Sequence, residues 1–238
     1  MLVTGFPSAV FGTNCYVVAA GPGEECLVVD PGIGVLPQLS ETLAEHRLRP
    51  AAVLLTHGHV DHTYSVTPVC GAHGVAAHVH ADDRYRLHNP LASLSPMLLA
   101  ALEREFGTSA TWAEPDDVVT LDGSTSLQLA GLKVEVVHAP GHTEGSVMFA
   151  LAGVPDHAPD DVTSTVLTGD VLFAGSIGRT DLPGGDHATM LDSLRERVLP
   201  LADDTWVLPG HGPDTTMARE RATNPFLRGL HPGDALSS

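Results

Sequence analysis

Short apolar runs, each stopped by a turn signal, set the rhythm of the first third of the chain. Thr13–Ala20 carries Tyr16, Val17 and Val18 and closes at Gly21-Pro22-Gly23, and Cys26–Val29 stops at Asp30-Pro31-Gly32. Both read as buried strands. Helical spacing then puts Leu36, Leu39, Leu43 and Ala44 on one face of a helix over Val35–Arg47. A strand over Ala51–Leu55, a helix over Asp61–His73 and a strand over Val75–Val79 follow. Between Asp82 and Pro115 the rhythm changes. Tyr85, Leu87, Leu91, Met97, Leu98, Leu102 and Phe106 recur partly at helical spacing, and predict a helical insertion that either overhangs a site or completes the core.

Strands return at Leu127–Leu129, Val134–His138, Val147–Leu151 and Thr165–Leu167, with Val154–Asp161, rich in Pro and Asp, as an exposed hairpin loop. An amphipathic helix over Ala188–Val198, a strand over Thr205–Leu208 and a helix over Thr215–Thr223 complete the pattern. No linker or short-period repeat divides the chain, so residues 1–238 read as one domain. Two strand-rich halves, each followed by helices, predict an α+β fold: a four-layer αββα sandwich with helices outside two packed sheets.

Composition narrows the partners. A chain of 238 residues can bury a full core. Its formal net charge is −17 and Lys133 is its single lysine, a balance that repels phosphate backbones and anionic lipids, so neither nucleic acid nor membrane is expected as a partner. Arg219, Arg221 and Arg228 read as a solvated helix face. The first residues, Met1-Leu2-Val3-Thr4-Gly5, lack the basic and apolar regions of a secretion signal, and no apolar run reaches membrane-spanning length. Cys15, Cys26 and Cys70 are odd in number and widely spaced; they read as reduced, buried thiols of a cytoplasmic protein.

The candidate chemistry is concentrated in histidines. His57, His59, Asp61 and His62 fall within six residues directly after a predicted strand. His57 and His59, two apart, point to one side of extended backbone; Asp61 and His62, at the onset of a helix, can face the same cavity from another direction. One metal can take the first pair and a second metal the other. A lone histidine is usually structural, and His46, His73, His78, His80, His88, His157 and His231 are read that way, with His138 and His187 left open. Three more residues follow strands on tight turns: His142 after Ala139-Pro140-Gly141, Asp170 after Thr168-Gly169, and His211 inside Pro209-Gly210-His211-Gly212-Pro213. Many α/β folds place their sites at strand ends of this kind. Together the set supplies five histidines and two aspartates, enough for two sites.

Thr56-His57-Gly58-His59-Val60-Asp61-His62 resembles the signature of the metallo-β-lactamase superfamily, and His142, Asp170 and His211 match its later ligand positions in order. The resemblance runs from Asn14-Cys15-Tyr16 to Asn224-Pro225-Phe226, and Phe173–Asp186 resembles the short bacterial glyoxalase II-like hydrolases. It implies that His57, His59 and His142 hold a first divalent metal, that Asp61, His62 and His211 hold a second, and that Asp170 bridges both. The ions implied are zinc, with iron or manganese as alternatives, and Asp30 matches a position that orients a ligand. Asp61 and Asp170 become the catalytic carboxylates around a hydroxide shared by the two metals. The implied activity is hydrolysis of S-(2-hydroxyacyl) thioesters of a small thiol. The alternatives are a mononuclear-iron persulfide dioxygenase, a broad lactonase or β-lactamase, and a metal-binding module without activity.

Arg179 is the candidate for a substrate carboxylate, with an ion pair to Asp181 or Asp186 as the competing reading. Some positions depart from related branches. His59 stands where diiron flavoprotein relatives carry glutamate, Asp170 where one β-lactamase group carries cysteine, and Glu144 where these hydrolases often carry proline. Long-form glyoxalase II enzymes bind the thiol part of the substrate with a C-terminal helical domain; only about one helix follows His211, so that recognition is expected to be different or absent.

Overall fold

The computed structural model describes residues 1–89, 91, 100, 104, 113–155 and 157–230. The first sheet has the order β1 (Leu2–Pro7), β2 (Asn14–Ala19), β3 (Glu25–Val29), β4 (Arg49–Leu54), β5 (Ala77–His80), β6 (Val118–Leu121), and is parallel from β3 to β6. The second sheet begins with β7 (Thr125–Leu129), β8 (Leu132–His138), β9 (Val147–Ala152) and β10 (Ser164–Gly169). It is completed by β13 (Thr205–Pro209), parallel to β10, and β14 (Thr215–Thr216) at the far edge. A two-stranded ribbon, β11 (Leu172–Phe173) and β12 (Ser176–Ile177), follows β10.

The alternation of strand side chains explains the four layers. Val18, Leu27 and Leu54 of the first sheet meet Phe149, Leu167 and Leu208 of the second in the central core. Their neighbours Val17, Val28, Val53 and Leu55 face outward against Leu39 and Leu43 of α1 (Leu36–His46) and Val66 and Val69 of α3 (Val66–His73). Met148, Val166 and Val207 face the other way, against Met190 of α4 (His187–Ser193) and Met217 of α5 (Met217–Thr223). Central strands are thus buried on both faces, which is why they read as unbroken apolar runs. The expected αββα sandwich is what the chain forms.

Local details correct the sequence reading. The single helix expected over Asp61–His73 is two, α2 (Val60–Thr63) and α3, broken at Tyr64–Ser65. Pro68 has no N–H for the Tyr64 carbonyl and its ring crowds that group. At the break the Ser65 N–H donates to the Pro31 carbonyl and its hydroxyl to the Gly32 carbonyl, anchoring the helix pair to the turn after β3. The strand expected from Val75 starts at Ala77, and the helix expected from Thr215 starts at Met217, because Thr215–Thr216 pairs with β13. Edge strands β1 and β6 were not expected. The helical insertion over Asp82–Pro115 opens as a 3-10 helix at Ala81–Leu87; most of its remainder lies outside the described residues. Val154–Asp161 does join the antiparallel pair β9 and β10.

Candidate metal centre

Four strand ends point at one place. β4 runs into Thr56-His57, β8 ends before Ala139-Pro140-Gly141-His142, β10 delivers Asp170 and β13 delivers Gly210-His211. All seven donors predicted from the sequence converge there. His57 Nε2 lies 3.1 Å from His59 Nδ1 and 3.2 Å from His142 Nε2. In the second set, His211 Nε2 lies 3.2 Å from Asp61 Oδ2 and 3.3 Å from His62 Nε2. Asp170 stands between them, Oδ1 being 3.3 Å from His62 Nε2, and Oδ2 3.5 Å from His142 Nε2 and 3.6 Å from His211 Nε2.

These residues fit two divalent ions. Nitrogens around a tetrahedral ion at about 2.0–2.1 Å are separated by about 3.3–3.4 Å, close to the spacings within each set. Asp170 Oδ1 is moreover buried without a hydrogen-bond partner, a costly state for a carboxylate oxygen that a cation would relieve.

The rings are aimed from behind. His142 Nδ1–H donates to the Arg179 carbonyl at 2.7 Å and His62 Nδ1–H to Asp30 Oδ2 at 2.9 Å, so in each ring Nε2 is the nitrogen that faces the site. The Thr56 hydroxyl donates to Asp30 at 2.6 Å and so accepts from His57 Nδ1–H at 3.1 Å. Thr13 donates to Asp61 Oδ2 at 3.0 Å. Asp30 itself adopts φ 49°, a left-handed conformation uncommon outside glycine. Two glycines are sterically required. A side chain at Gly210 would strike the Asp170 carboxylate and the His62 ring, and one at Gly141 (φ 133°) would strike the backbone of Met190 in α4.

Burial pushes His57, His59 and His142 below the ordinary histidine range, His59 to about 3, so these rings stay neutral. Burial opposes charge on His62 and His211 too, but Asp170 and Asp61 outweigh it and raise both. For Asp61 and Asp170 burial acts upward and the surrounding histidines, His62 foremost, hold both below the usual carboxylate range.

The centre floors a pocket of about 720 Å³ walled by Phe11, Val60, Phe173, Ile177, Leu182 and Pro183. Arg179 lines it but is largely exposed, and its fork is filled by Asp181 with two bonds of 2.7 Å. The cation that sequence reasoning missed is Arg86, nearly buried in the pocket wall and joined to Glu144 at 2.6 Å. Nothing in the sequence near Arg86 signals this; the pairing spans 58 positions. Cys15, Cys26 and Cys70 are buried and unbridged, with burial pushing Cys26 up to about 12 and Cys70 up to about 11, so they behave as inert core thiols.

His80, Asp82 and His138 gather separately. The His80 and His138 rings stack with centroids 3.9 Å apart and planes 15° from parallel. Rings so stacked cannot both aim in-plane lone pairs at one ion, and His80 Nε2 already accepts the Gly123 N–H at 3.0 Å. The pair is structural. Among the described residues no helix is long and apolar enough to cross a membrane.

Known proteins resemble this chain in sequence and fold. The sequence profile of the Metallo-beta-lactamase superfamily matches residues 9–211. An uncharacterized protein of Mycobacterium tuberculosis is 44% identical over 231 residues, covering 97% of this chain and 99% of its own. Hydroxyacylglutathione hydrolase GloC of Haemophilus influenzae is 33% identical, over 93% of this chain and 95% of its own. Among solved structures, BLEG-1 B3 metallo-beta-lactamase superposes with a TM-score of 0.76 at 35% identity, covering 95% of this chain and 99% of its own. The chain therefore belongs to the metallo-β-lactamase superfamily.

Proposed function

We propose that this protein is a two-metal hydrolase of S-(2-hydroxyacyl) thioesters of a small thiol. Its first ion, by preference zinc, would be held by His57, His59 and His142 and its second by Asp61, His62 and His211, with Asp170 shared. The observation that carries the reading is the meeting of two complete donor sets across Asp170 at the floor of an apolar pocket. When bound, such a pair supplies a water acidified toward neutrality and a Lewis acid for a carbonyl oxygen.

The chain's own residues do the rest. Asp61, whose Oδ2 accepts the Thr13 hydroxyl, would accept a hydrogen bond from the attacking water. Phe11, Phe173 and Ile177 offer the acyl group an apolar wall. The water oxygen bonds to the acyl carbon and the C–S bond breaks; of the water's two protons one ends on the thiolate and one is released, so a carboxylate and a thiol result. The thiolate is a good leaving group and needs little acid assistance. The 33% identity to a hydroxyacylglutathione hydrolase supports the thioester class.

A second reading, β-lactam hydrolysis, is favoured by the likeness to BLEG-1. The test is kcat/KM across acyl-thiol, β-lactam, lactone and phosphodiester substrates at fixed metal content. The thioester should lead. A leading β-lactam, or oxygen-dependent turnover of a persulfide without thioester hydrolysis, would overturn the proposal.

A further inference from the structure

A carboxylate outside both donor sets holds the first of them together. Asp83, in the 3-10 helix after β5, is wholly buried. Its Oδ2 accepts the Gly58 N–H and the Thr143 hydroxyl, each at 2.7 Å, and its Oδ1 accepts the Gly145 N–H and Arg86 Nε–H, each at 3.1 Å. Gly58 separates His57 from His59, and Thr143 directly follows His142. One side chain therefore spans the two loops that deliver all three nitrogens of the first set. None of these hydrogen bonds reaches Asp61, His62, Asp170 or His211.

The packing leaves no slack. A Cβ on Gly58 would lie 2.7 Å from Arg86 Cδ, and one on Gly145 would lie 2.7 Å from Asp83 Cβ. Arg86 extends the brace, its Nη2 donating to Glu144 at 2.6 Å and to the Pro183 carbonyl at 2.9 Å. Four donors meet one carboxylate, two of them from backbone and one from a guanidinium, and bonds to an ionised acceptor are the strong ones.

We propose that Asp83 is a positioning residue for the first ion: it fixes the separation of the His57–His59 loop from the His142 loop, and so the affinity of that site, while leaving the second site untouched. The inference rests on the metal placement proposed above. Asp83→Asn keeps the shape but breaks the arrangement, because each carboxylate oxygen faces two donors. Whichever way the amide turns, its NH₂ opposes one pair.

The experiment titrates metal-free wild type and Asp83→Asn with cobalt(II), read by calorimetric stoichiometry and visible absorption, and repeats both in a His211→Ala background that cripples the second set. Wild type should take two ions. Asp83→Asn should keep one at wild-type affinity and lose about 10–100-fold on the other, with the full loss seen in the His211→Ala background. Unchanged affinity for the first ion, or equal weakening of both, overturns the inference. If Asp83→Asn does not fold, Thr143→Val removes one of the four bonds and is read in the same way, with a smaller loss confined to the same ion. A wild type that takes fewer than two cobalt ions overturns the metal placement itself, and this inference with it.

Discussion

His62 and Asp30 meet across 2.9 Å with both side chains sealed from solvent. The same carboxylate takes the Thr56 N–H at 2.8 Å and the Thr56 hydroxyl, which in turn steadies His57. One aspartate thereby orients a ring in each donor set, directly for the second and through a threonine for the first. Its left-handed backbone is the cost of that position.

Asp30→Asn should therefore differ from Asp83→Asn by weakening both ions, each by about 10–100-fold. It should also destabilise the metal-free fold, since leaving a buried donor such as the Thr56 N–H unmet costs about 1–3 kcal/mol. Calorimetric metal titration and urea unfolding of the metal-free protein check the two halves separately. Loss confined to one ion would contradict the shared orientation.

Acid should strip the two ions in order. His57, His59 and His142 are held below the ordinary histidine range, whereas His62 and His211 are held above it. The second set therefore holds its protons to higher pH than the first, and falling pH strengthens proton competition with the metal first at the second site. The expected result is release of the second ion at higher pH than the first. Uptake of the second ion should also release more protons, measurable by calorimetry in buffers of different ionisation enthalpy.

Arg179 offers a contrast between charge and availability. With Asp181 filling its fork at 2.7 Å, Arg179→Ala should leave KM for a carboxylate-bearing thioester almost unchanged. Asp181→Ala should lower that KM by freeing the guanidinium for substrate. Steady-state kinetics on both variants decide it; a large rise in KM for Arg179→Ala would restore Arg179 as the substrate's anchor in the native protein.

The interior strands were legible because each buries both faces: Val17, Val28, Val53 and Phe149 all sit in continuous apolar runs. β1 and β6 escaped because edge strands with exposed positions and few large apolar residues lack that signal. The helix break at Tyr64 was written in Pro68, yet the apolar period on either side of it hides the interruption. The donors were legible because four of them are neighbours and the other three end predicted strands on Gly-containing turns. Asp83 and Arg86 were not, since apart from each other their hydrogen-bond partners lie 25 to 97 positions away along the chain and only the folded sheets bring them near.

Each proposed donor set draws on both sheets. His57 and His59 follow the first sheet and His142 the second; Asp61 and His62 follow the first and His211 the second. Backbone bonds already stitch that seam, from Asn14 N–H to the Gly210 carbonyl at 2.7 Å and from Val147 N–H to the Thr56 carbonyl at 2.8 Å. An ion held at either position would then be a clasp between the halves of the molecule. Neither half alone owns a complete clasp, so the chemistry could not outlive their separation, and a loaded protein would resist being prised open along the edge where its substrate enters.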